Sequence, residues 1–205
     1  MSAECSCGGS GWIRATEGDY ATVRPCCCRL QKEKARMLGS MFALACFRSS
    51  ARPHQAKAME RMRQEPLAGY FLHGPYGTGK TWLAAAQFDH AFLRDHLHTV
   101  WLTDVDLAAM SRDPRDIYLD QLIRRLREDP GLWHVFLDDL GKSRMSDWVR
   151  QDMYRLVNAV FVNRHRITVT SNYGLEILAR DDDPLMPGGA IMRRIDDMVI
   201  KIQIG

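Results

Sequence analysis

The chain has 205 residues, 46% of them hydrophobic, and a formal net charge of +3. That length accommodates one substantial domain with a small appendage, and the apolar share suits a packed core. The charge is too small to imply nucleic-acid binding by itself. No apolar run reaches the roughly 18 residues that a membrane span needs, and Met1-Ser-Ala-Glu-Cys5 lacks the basic-then-apolar order of a secretory signal, so a cytoplasmic chain with reduced thiols and no membrane partner is expected.

Five of the six cysteines fall within the first 28 residues. Cys5-Ser-Cys7-Gly-Gly and Pro25-Cys26-Cys27-Cys28 flank about one hairpin's length of chain, and the glycines permit the tight turn of a metal knuckle. Four thiolates in a tetrahedron are the usual structural zinc shell, so residues 1–29 are expected to form a small zinc module. Its ligands would be Cys5, Cys7, Cys26 and Cys28, with Cys27 spare. Residues 30–67 read as a helical linker. It is charged over Gln31–Arg36 and then apolar to Phe47, with Cys46 expected as a small core residue. Pro53 can open a helix that places Ala56, Met59 and Met62 on one face and ends before Pro66. Arg52, Lys57, Arg61 and Arg63 are then a solvated face, or a surface for a partner or nucleic acid.

From residue 68 strand and helix patterns alternate, which predicts an α/β core with a parallel sheet between helices. The first strand, Tyr70–His73, runs into Gly74-Pro75-Tyr76-Gly77-Thr78-Gly79-Lys80-Thr81-Trp82, which fits G-x-x-x-x-G-K-[ST]. Glycines there let main-chain N–H groups converge on phosphate oxygens, and the following helix presents an N-terminus that favours an anion. Lys80 reaches the terminal phosphates, and the Thr81 hydroxyl can coordinate Mg²⁺. Further strands are predicted at residues 98–103, 134–141, 167–170 and 198–204. Asp104 or Asp106 is expected to cap a short helix through Met110, and helices are expected at residues 116–128 and 146–163. Arg124, Arg125 and Arg127 fall on the polar side of their helix and read as solvated.

The strand at 134–141 ends in paired carboxylates. Asp138 is expected to hold Mg²⁺ through water, and Asp139 to orient or deprotonate an attacking water, with Mg²⁺ and Lys80 compensating the burial. Asn172, just past the neighbouring strand, can sense the terminal phosphate. Arg193 and Arg194 are either solvent-facing or serve a neighbouring subunit's phosphate.

On these residues the chain resembles the DnaC/IstB-type AAA+ ATPases, the bacterial and phage helicase loaders and their transposition relatives. The resemblance covers residues 68–204. It is most specific at Leu137-Asp-Asp-Leu-Gly through Arg150 and at Thr170-Ser-Asn-Tyr173. It implies Gly74–Thr81 as Walker A, Asp138 and Asp139 as Walker B, Asn172 as sensor 1, and Arg194, with Arg193 the alternative, as the arginine finger. The family's Asp-Arg pair is replaced here by Arg193-Arg194. The chain ends eleven residues after Arg194, which implies no helical lid. The implied function is an ATP-dependent helicase loader with weak turnover outside its assembly. It would grip a hexameric replicative helicase through the N-terminal module, bind single-stranded DNA through the core, and assemble side by side. Two alternatives stay open: a transposition ATPase, and an adaptor that binds nucleotide without hydrolysis. Asp139, where many AAA+ proteins have glutamate, lends weight to the adaptor.

Overall fold

The computed structural model describes residues 7–17, 20–49, 51–112, 117–183 and 186–205. A short antiparallel hairpin comes first, β1 (Trp12–Glu17) against β2 (Tyr20–Pro25). It leads directly into α1 (Cys27–Leu38). A 3₁₀ turn at Pro53–Gln55 then runs into α2 (Ala56–Gln64), whose apolar face is Ala58, Met59 and Met62. After it come β3 (Gly69–His73), α3 (Lys80–Leu93), β4 (His98–Thr103), α4 (Asp104–Met110), α5 (Tyr118–Glu128), β5 (Trp133–Leu140), α6 (Asp147–Val162) and β6 (Arg166–Ser171). The chain closes with α7 (Leu175–Leu178), α8 (Gly189–Asp196) and β7 (Val199–Gln203).

Among the described residues, five strands form one parallel sheet in the order β4-β5-β6-β3-β7. The expected α/β core is therefore present. Central strands covered on both faces read as near-continuous apolar runs, and β3 shows why. Tyr70 and Leu72 join a core with α2, α3 and Phe136, whereas Phe71 joins the opposite core with α4, α5, α6 and α8. Side chains alternate faces along a strand, so one short apolar run closes both layers. The connection from β3 to β4 passes over two strands. It leaves the turn after β3 beside the C-terminal ends of β5 and β6, the crevice where open parallel sheets bind ligands.

Local chemistry sets the helix ends. Thr103, rather than Asp104 or Asp106, is the N-cap of α4. Its hydroxyl accepts from Asp106 N, while the Asp106 carboxylate accepts from Thr103 N at 2.9 Å. Ser146 caps α6. The expected helix start at Asp116 lies outside the described residues. Cys46 is half-buried, not part of either core, and its sulfur is 3.3 Å from Ser49 Oγ.

Two buried polar links tie layers together. His134 on β5 is fully buried, which pushes its pKa down to about 3 with a smaller push from Arg166. Thr168 donates to Gln87 Oε1 at 2.8 Å, so its oxygen accepts from His134 Nε2–H at 2.9 Å. Gln87 in turn donates to the carbonyls of Pro66 and Ala68. On the same face Lys34 of α1, with no exposed surface, donates to Asp89 of α3 at 2.7 Å and to the Ala45 carbonyl. Lys34 sits in the charged run of the expected helical linker, and together with Leu38 it docks α1 on the core.

Candidate functional site

The turn from β3 to α3 is built on backbone conformations that favour glycine. Gly77 and Gly79 have φ of 76° and 83°. Gly74 is fixed by a close approach: a Cβ there would lie 2.0 Å from the Ile204 carbonyl oxygen, which is backbone and has nowhere to move. From behind, Gln55 Nε2 donates to the Thr78 carbonyl at 2.8 Å, and His54 Nε2 lies 3.1 Å from the same oxygen. Residues ahead of α2 thus clamp the loop, a role that no residue type or spacing in the sequence marks. Among the described residues, nothing accepts from the main-chain N–H groups of Gly77, Thr78, Gly79, Lys80 or Thr81. Five consecutive open donors running into the N-terminus of α3 form an anion-binding nest.

Lys80 is 6% exposed. Its ammonium donates to the carbonyls of Gly74 at 2.8 Å and Pro75 at 2.9 Å, and to Asn172 Oδ1 at 2.9 Å. Burial pulls its pKa down, opposed by the charges of Asp139 and Asp138. Every hydrogen-bond acceptor on this ammonium is a neutral oxygen. Asn172, more than ninety residues away in sequence, is thereby brought onto Lys80.

The two acids occupy an irregularity in β5, whose pairing with β6 shifts register between Leu137 and Leu140. Asp139 has φ of 65°, a left-handed conformation uncommon outside glycine. Asp138 is buried, and its Oδ1 accepts from Thr81 Oγ1 at 3.0 Å and from Thr170 Oγ1 at 2.6 Å. Burial pushes its pKa up, the two hydroxyls pull against that, and Asp139 adds a smaller upward push. Thr170 Oγ1 also accepts from Asp139 N at 2.9 Å, so one hydroxyl positions both acids. Ser171 donates to the Leu140 carbonyl at 2.6 Å and closes the same strand end. Sequence reasoning singled out Asn172 but not the roles of Thr170 and Ser171. Their signal was present, because two hydroxyls at the end of a buried strand require partners.

The remaining expected site residues divide. Tyr76 is exposed at the loop's tip, and Trp82 is half-buried against the Tyr70–Phe88 core. Arg194 makes its side-chain contacts with α6 and α8, and among the described residues none with the loop. It donates to Asn158 Oδ1 at 3.1 Å, Tyr154 OH at 2.8 Å and the Ala190 carbonyl, and it lies 4.6 Å over the Tyr154 ring. Arg193 is exposed and lines a 510 Å³ cleft with His73, Glu176, Asp196 and Lys201. At the N-terminus Cys7, Cys26 and Cys28 converge, their sulfurs all within 4.8 Å of one another and Cys7 Sγ 3.6 Å from Cys28 Sγ. Gly11 N donates to Cys7 Sγ at 3.2 Å. Cys5 lies outside the described residues.

The comparisons with known proteins agree with this geometry. The crystal structure of the DnaC helicase loader superposes with a TM-score of 0.64 at 21% identity, covering 82% of this chain and 100% of that one. The DnaI structure gives 0.63 at 20% identity, over 83% of this chain and 90% of that one. The fold is the one these two structures share. The structure of AMPPCP-bound DnaA from Aquifex aeolicus shares the fold at a TM-score of 0.60 and 17% identity, with 78% of this chain matched to 50% of that one. In sequence, the phage-like element PBSX protein XkdC of Bacillus subtilis (strain 168) is 24% identical over 202 residues, 87% of this chain and 74% of XkdC. No protein-family model matches the chain. Among the described residues no helix is long and apolar enough to cross a membrane.

The site fits a nucleoside triphosphate with a divalent cation. The open N–H nest and Lys80 supply donors for phosphate oxygens, and a buried carboxylate bonded only by hydroxyls is a hard-cation ligand set. The cysteine cluster fits zinc as well. Thiolates at Zn–S of about 2.3 Å in a tetrahedron are about 3.8 Å apart, close to the Cys7–Cys28 separation.

Proposed function

We propose that this chain is an ATP-hydrolysing helicase loader. The observation that carries the reading is the convergence of Lys80, Asn172, Thr81 and Asp138 through direct hydrogen bonds at one end of a DnaC-type sheet. The loop amides and Lys80 bind the phosphates, and Thr81 and Asp138 hold Mg²⁺. Bound Mg²⁺ neutralises charge on the phosphate oxygens. Asp139 orients the attacking water, Asn172 fixes its position relative to Lys80, and Arg194 stabilises the transferring phosphoryl group on a neighbouring subunit's nucleotide. Because Arg194 bonds to α6 and α8 and not to its own subunit's loop, turnover is weak outside a side-by-side assembly.

In this reading the N-terminal module holds a hexameric replicative helicase, and basic residues of the core hold single-stranded DNA. Cys7, Cys26 and Cys28, with Cys5 as the fourth ligand, hold Zn²⁺. Because the unfolded chain does not hold these thiolates together, zinc binding is also folding energy for the hairpin and the start of α1. The purified chain is expected to contain about one zinc per subunit, and a chelator is expected to release zinc with loss of the β1–β2 hairpin signal while the ATPase core keeps its melting transition. A zinc-free protein whose hairpin amides are as protected as in the untreated sample overturns the zinc assignment.

The functional test is co-purification with a replicative helicase, with phosphate release measured in the presence of helicase and single-stranded DNA. The expected result is a helicase complex and turnover that rises on assembly. Capture of a transposase in place of helicase would assign the chain to the transposition relatives. A second reading, a nucleotide-binding adaptor, draws on the 2.8 Å contact of Lys142 Nζ with Asp139 Oδ2. Absence of phosphate release under all these conditions favours it.

A further inference from the structure

The residues just after the acid pair are organised by a carboxylate outside the phosphate loop and the acid pair. Asp104, at the start of α4, is 2% exposed. Its Oδ2 accepts from the main-chain N–H of Lys142 at 2.9 Å and of Ser143 at 2.6 Å. Its Oδ1 is buried with no hydrogen-bond partner among the described residues. Burial pushes the Asp104 pKa up, against the pull of the amides of Ser143, Lys142 and Gly141. The two amide bonds to one buried carboxylate oxygen hold the turn in one place. That turn begins at Gly141, whose φ of 90° takes the chain sharply away from β5. It delivers the Lys142 side chain back onto Asp139, where the ammonium sits 2.8 Å from Oδ2.

We infer that Lys142 is a positioning residue that restrains Asp139 in the unassembled subunit, and that Asp104 holds Lys142 in place. The inference rests on Asp139 being the water-orienting acid. A carboxylate in a charge-assisted bond has one oxygen committed and its rotation fixed. It is then less available to accept a bond from water, while phosphate binding by the loop amides and Lys80 is untouched. Asp139 is thus pulled two ways: Thr170 fixes its main chain at the site, and Lys142 draws its side chain toward the surface. The Lys142 side chain is 54% exposed and that of Asp139 31%, so the pair is one that a neighbouring subunit or bound DNA can displace.

The size of the effect follows from exposure. Pairs open to solvent hold by small amounts, so the Lys142→Met variant is expected to raise kcat for phosphate release by dilute protein about two- to fivefold. KM and Kd for ATP are expected to stay at the parent values. Lys142→Arg, which restores a cation, is expected to return kcat to the parent level. Asp104→Asn, which weakens the grip on the turn, is expected to raise kcat in the same direction, without adding to Lys142→Met, and to speed hydrogen exchange at the amides of Lys142 and Ser143. A Lys142→Met protein whose kcat equals or falls below the parent's, while Asp139→Asn abolishes turnover, overturns the inference and leaves the ATPase reading standing. Parent-level turnover in Asp139→Asn removes the ATPase role of Asp139 and the inference with it. Lys142 is mostly exposed, so its replacement does not threaten folding, and an unchanged melting temperature verifies that.

Discussion

Lys80→Ala is expected to weaken binding of a fluorescent ATP analogue by about 30- to 5,000-fold, the equivalent of about 2–5 kcal/mol for truncating one partner of a buried charged contact. Lys80 is fully engaged within its own chain. Its ammonium is drawn into a buried position where all three acceptors are neutral oxygens of Gly74, Pro75 and Asn172. Burial makes that charge costly, which is the direction of its lowered pKa. A phosphate group exchanges those neutral acceptors for charged ones, so much of the binding energy passes through this one side chain. The variant removes the ammonium but leaves the glycine turn, which is held by the Gly74–Ile204 approach and the Gln55 clamp. Its melting temperature without nucleotide is therefore expected to match the parent's, while the stabilisation that added ATP gives the parent disappears. A variant that binds nucleotide within about threefold of the parent is incompatible with this site. A variant that fails to bind yet loads helicase as well as the parent refutes the ATP switch.

The Walker A loop and the acid pair were legible because residue type alone carries their physics. Only glycine accepts the φ values at Gly77 and Gly79 without strain, and paired carboxylates at the end of an apolar strand have few tolerable explanations besides a cation. The sheet was legible for a related reason, since a strand buried on both faces excludes most polar residues. What stayed hidden is what arrives from elsewhere in the chain. Gln55 reaches the loop across 23 residues, Thr170 reaches Asp138 across 32, and Asp104 reaches Lys142 across 38. Each is a common residue type, and its partner is fixed only once the topology brings distant segments together. Lys34 misleads in the opposite way. Its neighbours Gln31, Lys32, Glu33 and Arg36 make the run look solvated, yet helical periodicity places one residue of that stretch inward, and that residue is a lysine.

The consequence of that buried lysine is the second large expectation. Lys34→Ala is expected to destabilise the chain by about 3–5 kcal/mol in urea unfolding, because it strands the Asp89 carboxylate, 9% exposed, without its cation, and leaves the Ala45 carbonyl without its donor. A surface ion pair would be worth less than about 1 kcal/mol, so the measurement separates the two cases cleanly. The paired replacement Lys34→Met with Asp89→Leu removes both charges and keeps volume, and is expected to recover most of the loss. A single variant within about 1 kcal/mol of the parent, or a double variant worse than the sum of the singles, contradicts the argument. The location gives the pair its interest. Asp89 sits in α3, the helix that begins with Lys80 and Thr81, and Lys34 sits in α1, the helix that begins beside Cys26 and carries Cys28. One buried ion pair therefore joins the helix of the cysteine cluster to the helix of the phosphate loop. Loosening it frees α1 from the core, so the stability lost in Lys34→Ala should appear first as faster hydrogen exchange along α1 and only later in the sheet.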